Sequence, residues 1–411
     1  MQKNIIRLLP GVIIIIGIIL RLWRLPEVFH FTYDEEVFAF IGKRMFVNGH
    51  IPLIGGVTPM HVHLAPYFYW LSGIFLWFSK LNPLGWGYAA VLISCITMIL
   101  LFVTTQKIYG RTVAIIALFI YCISFYQNVF DRHYWGLVFD GLISVGVMFS
   151  IFNIINLKTK YVYLLSLLLA FGINTDPSMI VLILLSIISL FYFKPKINFK
   201  IYLIALFIFL FSFLPLVIFD LRHNFYHLKT LWQYSLDTFS GKSDAGFVYY
   251  HFLGFWPVFI IIGSFILFFV YKKNRYLSYL LVLIYLIFNL SSSLVNFNSP
   301  TGMPGKLTIN DILAVSRTIS EKATNDFNVV TLYDFDTRGY TLRYFTKYVF
   351  NKNPMGEIEY PTSKEIFALA KSDYDFNNNN PWELNVFKPY NIDKLANIGE
   401  GFSLFKLTRK N

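Results

Sequence analysis

Val12-Ile13-Ile14-Ile15-Ile16-Gly17-Ile18-Ile19-Leu20 runs directly into Arg21-Leu22-Trp23-Arg24-Leu25-Pro26, and Phe31-Thr32-Tyr33-Asp34-Glu35-Glu36 follows shortly after. The first stretch is the centre of an apolar run over about 8–25, long enough to cross hydrocarbon as a helix. Lys3 and Arg7 precede it as in a secretory leader, but Arg21, Trp23 and Arg24 stand where cleavage requires small residues, so it is read as a first, uncleaved span. Three consecutive carboxylates then emerge at the membrane surface.

The rest of the chain agrees with a bilayer as its main solvent. Of 411 residues, 56% are hydrophobic, 19% aromatic and only 14% charged, with a mean hydropathy of +0.56, leaving too little polar surface to cover a water-soluble globule. The net charge of +12 sits in short clusters between apolar runs, the pattern of membrane loops, which excludes nucleic acid as the partner and names membrane lipid instead. Cys95 and Cys122 lie inside apolar runs and read as small buried hydrophobes, not as a disulfide or metal pair.

Further apolar runs fall at about 64–80, 88–106, 112–130, 136–156, 161–174, 178–193, 201–219, 248–271 and 276–296. Lys107/Arg111, Lys158/Lys160, Lys194/Lys196/Lys200 and Lys272/Lys273/Arg275 are basic connections that the positive-inside rule assigns to the cytoplasm. All four can be cytoplasmic with a cytoplasmic N-terminus if one early run fails to cross. The run 64–80 is short and has Pro66 in its first turn, so it reads as an interfacial helix. The expectation is an α-helical polytopic membrane protein of about nine spanning helices, with interfacial helices in the first outer loop. Its termini would put a transmembrane domain at 1–297 and a soluble extracytoplasmic domain at 298–411.

On that topology the unusual chemistry gathers on the outer face. Asp34, Glu35 and Glu36 open an amphipathic stretch to Asn48-Gly49. Capping by Thr32 or Asp34 and attraction to the positive helix end explain them structurally. The functional reading makes one of them a general base at the rim of a low-dielectric cavity. His61-Val62-His63 could ligate a metal, but spacing assigns no third ligand, and Tyr67-Phe68-Tyr69-Trp70 suits headgroup depth. Asp131-Arg132-His133 and Asp220-Leu221-Arg222-His223 each place cations outside, against the charge rule. Snorkelling explains either alone; both together, facing carboxylates, fit a lipid phosphate gripped by arginine forks, with Asp131 and Asp220 orienting their arginines.

These residues resemble a known family. Leu20–Pro26, Tyr33-Asp34-Glu35-Glu36, the helix to Gly49, Pro66-Tyr67-Phe68-Tyr69, Tyr109-Gly110-Arg111, Arg132 and Phe219-Asp220-Leu221-Arg222-His223-Asn224-Phe225 are similar to GT-C membrane glycosyltransferases. The branch is that of protein O-mannosyltransferases and the aminoarabinose transferase of lipid A, glycosyltransferase family 39. The resemblance covers roughly the first 300 residues. It implies a hexosyl- or pentosyltransferase that passes a sugar, usually with inversion, from a polyprenyl-phosphate donor to an extracytoplasmic acceptor: protein, lipid or cell-envelope glycan. It implies Asp34 as catalytic base with Glu35 as its acidic neighbour, and Arg132 and Arg222 as holders of the carrier phosphate, accompanied by His133, Asp220, His223, His63 and Tyr67. The family often has His-Pro-Pro where this chain has His63-Leu64-Ala65-Pro66. No cofactor is required; some branches use a divalent metal, so the resemblance leaves one open. A polyprenyl phosphate leaves as an anion, so no leaving-group acid is needed, unlike in a two-carboxylate hydrolase.

Beyond Asn296, the stretch 298–305 reads as a linker and the charge density rises. A helix at 308–323, a strand at 328–334, a helix at 339–349, a helix at 363–371, a loop at 375–381 and a strand at 402–408 make a small α/β layer, with Asp334, Asp336 and Arg338 as surface charges. The alternative function is a transporter or flippase of a lipid-linked anion. It is disfavoured by the lack of an internal repeat and of mid-span charges.

Overall fold

The computed structural model describes residues 2–31, 34–58, 62–241, 249–291, 303, 306–333, 336–378, 380–399 and 401–410. Thr32, Tyr33, His61, Asp334 and, apart from Met303, the linker lie outside them. The chain forms two compact units, one of Met1–Trp23, Arg44–Ile74 and Tyr88–Asn296, the other of Arg24–Lys43, Phe75–Gly87 and Phe297–Asn411. The second unit thus gathers two early segments that a division at 297/298 assigns elsewhere.

The first unit is helical. Its long apolar helices are Leu84–Tyr109, Gly136–Ile155 and Trp256–Lys273. A fourth crossing results if Phe199–Phe211 and Leu214–Arg222, bent by 47°, count as one. Pro215 in the first turn of the second piece lacks the N–H that would continue the first, which accounts for the break. The run expected at 112–130 is likewise two helices, Arg111–Ile123 and Phe125–Phe130, because Ser124 ends one and accepts the Gln127 N–H (3.4 Å) to cap the next. Tyr67–Phe78, Tyr161–Thr175, Pro177–Phe193 and Arg275–Ser291 are apolar but shorter. Among the described residues, three or four helices have the length and composition to cross, and several of the other apolar runs are interrupted by caps and bends. Phe191, Phe207, Leu210, Ile284 and Phe288 are exposed, a surface suited to lipid, and the chain is a membrane protein.

Helix Gln2–Leu22 packs on Arg111–Ile123 through Gly17, where an added Cβ would lie 2.7 Å from Cys122 Sγ and 2.9 Å from Met98 Sδ. Ile13, Met98, Leu118 and Tyr121 close the core around that approach.

The second unit carries a four-stranded sheet in the order β1-β2-β4-β3, with β1 Phe327–Thr331, β2 Glu365–Lys371, β3 Tyr390–Ile398 and β4 Phe402–Arg409. β1 and β2 are parallel; β2/β4 and β4/β3 are antiparallel. Helix Ile309–Lys322 begins at a capping box of Thr308 and Asp311, and the helical stretch Tyr340–Tyr344 continues into Phe345–Val349. The segment expected as a helix at 363–371 is β2, buried on both faces up to Lys371. Its Ile366-Phe367-Ala368-Leu369-Ala370 run has no two-fold alternation because it lies inside the sheet. β3 was not expected from the sequence at all.

Candidate functional site

The acidic helix Asp34–Gly42 belongs to the second unit. Successive helical residues point about 100° apart, so its three leading carboxylates diverge. Asp34 is exposed. Glu35, 3% exposed, meets His30 Nδ1 at 3.0 Å through Oε2. Glu36, also buried, accepts a hydrogen bond from the Thr341 hydroxyl. A buried carboxylate needs such partners, since desolvation without them costs several kcal/mol.

Aromatic packing fixes the segment on both sides. Phe31, fully buried, stands edge-on to Phe345 (5.4 Å) and against Tyr344 (5.8 Å) and Trp86 (6.2 Å). Phe40 meets Tyr344 edge-on at 5.4 Å. Lys43 Nζ donates to Tyr348 Oη (2.8 Å) and lies 4.4 Å from that ring's centre. Burial raises the Tyr344 phenol above its ordinary range, so it stays protonated and donates to the Leu81 carbonyl at 3.1 Å.

In the first unit the 131–135 junction differs from its sequence reading. Asp131 does not orient Arg132. Its Oδ2 takes Arg21 Nη2 (2.6 Å) and Nε (2.8 Å), Ser94 Oγ (2.5 Å) and Tyr121 Oη (3.2 Å), and its Oδ1 takes Gln127 Nε2 (2.6 Å). Arg21, wholly buried, also donates to Gly17 O and Asn128 Oδ1, both at 3.1 Å. Arg132 is 4% exposed and its Nε donates to Asn128 O at 3.1 Å. Burial, helped by the Arg21 charge and opposed by Asp131, lowers Arg132 to about 10. His133 stacks on Trp135 with ring centres 4.6 Å apart.

The second cationic segment is also rearranged. Asp220 accepts the backbone N–H groups of His227 (2.7 Å) and Leu228 (3.0 Å), capping helix Tyr226–Phe239 from the preceding helix instead of orienting Arg222. Asn224 and Phe225, at φ 54° and 59°, make the tight reversal that brings those amides to it. Arg222 is exposed at the helix end. His223 stacks on Phe219 at 4.1 Å and its Nδ1 lies 2.8 Å from Phe219 O.

His63 joins this group. Its ring lies 6.1 Å from Phe219 and 6.5 Å from Tyr226, its Nδ1 is 3.0 Å from Gly55 O, and its carbonyl lies 2.8 Å from His227 Nε2. With Nδ1 engaged by backbone and His61 outside the described residues, no metal pair forms here among them. Tyr67 Oη donates to Ser212 O (2.6 Å), a carbonyl freed by the break in the helix pair. The structure thus unites His63 with Asp220–His227; among the described residues no hydrogen bond or ring contact joins them to Arg132 or His133.

Two features escaped the sequence reading. Arg21 stood as a motif residue and as an obstacle to leader cleavage, although an arginine inside an apolar run signals a buried partner. Asp140, read as part of a run, is fully buried. It faces Asp176, which accepts Ser178 N (2.9 Å) and Ser178 Oγ (2.5 Å) and meets His251 Nδ1 at 3.2 Å. Near it a small cleft is lined by Thr97, Tyr121, Gln127, Asp131, Trp135 and Gly254 among others.

No protein-family model matches the chain and no curated protein matches it in sequence. In fold it is similar to ArnT from Cupriavidus metallidurans bound to undecaprenyl phosphate, with a TM-score of 0.53, 10% identity and coverage of 99% of this chain and 98% of that one. The apo form of the same protein gives a TM-score of 0.52, 12% identity and 98% coverage of both chains. The Archaeoglobus fulgidus oligosaccharyltransferase in complex with Zn and sulfate gives 0.46 and 11% identity, over 88% of this chain and 67% of that one. The fold is therefore similar to that of ArnT over almost the whole chain.

Proposed function

We propose that this protein is a membrane glycosyltransferase that moves a sugar from a polyprenyl-phosphate carrier to an extracytoplasmic acceptor, with inversion. The observation that carries the reading is the acidic helix: of its carboxylates, Glu35 and Glu36 are buried against His30 and Thr341, while Asp34 is exposed. Asp34 takes the acceptor hydroxyl proton as that oxygen bonds to the anomeric carbon. The bond from that carbon to the phosphate oxygen breaks, and the carrier leaves with the electron pair as a phosphate anion. Glu35, paired with His30, keeps the segment before the helix in place.

Arg132 supports the phosphate assignment. A cation buried enough to lose proton affinity is one that an incoming anion restabilises. Arg222, His133 and His223 supply further positive or donor groups, and Tyr67 and His63 border the segment that carries Arg222. The active site and C-terminal domain face the extracytoplasmic side on this reading, with the multi-pass topology derived from the basic loops. The carrier bound by the fold neighbour, undecaprenyl phosphate, is the donor lipid to try first; sugar and acceptor are left to assay.

The test uses purified full-length protein, a panel of radiolabelled undecaprenyl-phosphate sugars and an extract of the outer envelope. Transfer by wild type and a loss of about 10²–10⁴-fold in Asp34→Asn, with donor still bound, is the expected result. Equal activity in the variant removes Asp34 from the role. Carrier lipid moved between vesicle leaflets, with no transfer, assigns the protein to transport.

A further inference from the structure

The C-terminal part of the chain contributes directly to how the acidic helix is held, although nothing in its own sequence marks it as catalytic. Thr341 lies in the short helix Tyr340–Tyr344, is 4% exposed, and donates its hydroxyl proton to Glu36 Oε1. The residues around it are tied down. Gly339, at φ 64°, starts the helix in a left-handed conformation that glycine adopts without strain. Arg343, two residues on and also buried, donates to Arg338 O (2.8 Å), Met355 O (2.6 Å) and Tyr360 Oη (2.9 Å), and also to Asn328 Oδ1.

From this juxtaposition we infer that Thr341 is a positioning residue for sugar transfer: by gripping Glu36 it sets the rotation of the helix that presents Asp34. The inference rests on the transferase reading above. Asp34 and Glu36 lie about 200° apart around the helix axis, so a shift of one turns the other. Tyr348 holds the far end of the same segment through Lys43, and Phe40 wedges between the two grips against Tyr344. The Glu36 carboxylate is buried, so removing the Thr341 hydroxyl takes away a hydrogen bond that bulk water does not replace, and the helix shifts with it. A displacement near 1 Å at a reacting group is enough to cost about a hundredfold in rate.

Full-length wild type, Thr341→Val, Thr341→Ser and Asp34→Asn are compared in the undecaprenyl-phosphate sugar assay, with thermal unfolding recorded for each. Thr341→Val preserves shape and deletes the donor; it should lower kcat by roughly ten- to a hundredfold with KM for the donor lipid within about twofold. Thr341→Ser keeps the hydroxyl and should restore kcat to near wild type. A Thr341→Val protein with wild-type kcat overturns the inference, as does an equal loss in the serine variant or a loss confined to KM. If Asp34→Asn is inactive while Thr341→Val is not, the inference alone fails. If wild type transfers no sugar, or Asp34→Asn matches it, the transferase reading fails and the inference goes with it.

Discussion

The acidic helix and the arginine junction solve the same problem, ionic groups at the edge of a low-dielectric medium, in opposite ways. In the acidic helix, neighbours in sequence are separated: helical rotation sends Asp34 to solvent, Glu35 to His30 and Glu36 to Thr341. At the junction, residues far apart in sequence are brought together: Arg21 reaches across 110 positions to Asp131, while adjacent Arg132 turns to a backbone carbonyl. Asp220 and Arg222 repeat the lesson, since the aspartate serves helix amides and not the nearby guanidinium. Sequence adjacency of opposite charges is therefore a poor guide to pairing wherever helix geometry sets the directions.

Three variants would sharpen that contrast. The largest effect is expected from Arg21→Met, which leaves Asp131 buried without its counter-charge and should cost about 3–5 kcal/mol of stability. Chemical denaturation in mixed micelles would read it, and Asp131→Asn added to the same chain should recover part of the loss. No change in either would mean that the Arg21–Asp131 ion pair does not hold the helices together.

A smaller effect is expected from Arg132→Gln, which should weaken undecaprenyl-phosphate binding by about 1.5–3 kcal/mol, the worth of a hydrogen bond to a charged group. The pH dependence has a definite sign. The cation is held down at about 10, so wild-type affinity should be full well below that value and fall as pH rises through it, whereas the glutamine variant should be flat there. The smallest effect is expected from Asp220→Ala. Loss of the cap on helix Tyr226–Phe239 should cost about 1 kcal/mol and speed amide exchange at His227 and Leu228; unchanged exchange would return Asp220 to the arginine.

Much of the architecture was legible because hydrocarbon imposes a simple pattern. Run boundaries at 88–106, 136–156 and 161–174 fall close to helices Leu84–Tyr109, Gly136–Ile155 and Tyr161–Thr175. What the pattern hides is interruption: Ser124 and the Ser212-Phe213 break are invisible to a count of apolar residues, since a serine costs little hydropathy while ending a helix. The soluble end failed where burial changes the rule. Glu365–Lys371 has good helix formers and no alternation, yet it is an inner strand, and Tyr390–Ile398 is polar enough to pass for a loop because, among the described residues, it has a strand neighbour on one side only. In the acidic helix, the run of carboxylates at a helix start was legible from its motif. Thr341 was not, because one threonine hydroxyl carries no periodicity and its partner lies 305 positions away.

The unpaired side of Tyr390–Ile398 has a bearing on how this protein behaves at high density in a membrane. An open strand edge is a template onto which another chain can add. Here the edge strand exposes Asp393 and Lys394, and its register shifts between Lys394 and Ala396. Charge and a bulge together spoil the flat, repetitive ladder that a second copy would need. The sheet thereby guards against aggregation between copies at the strand where its ladder stops.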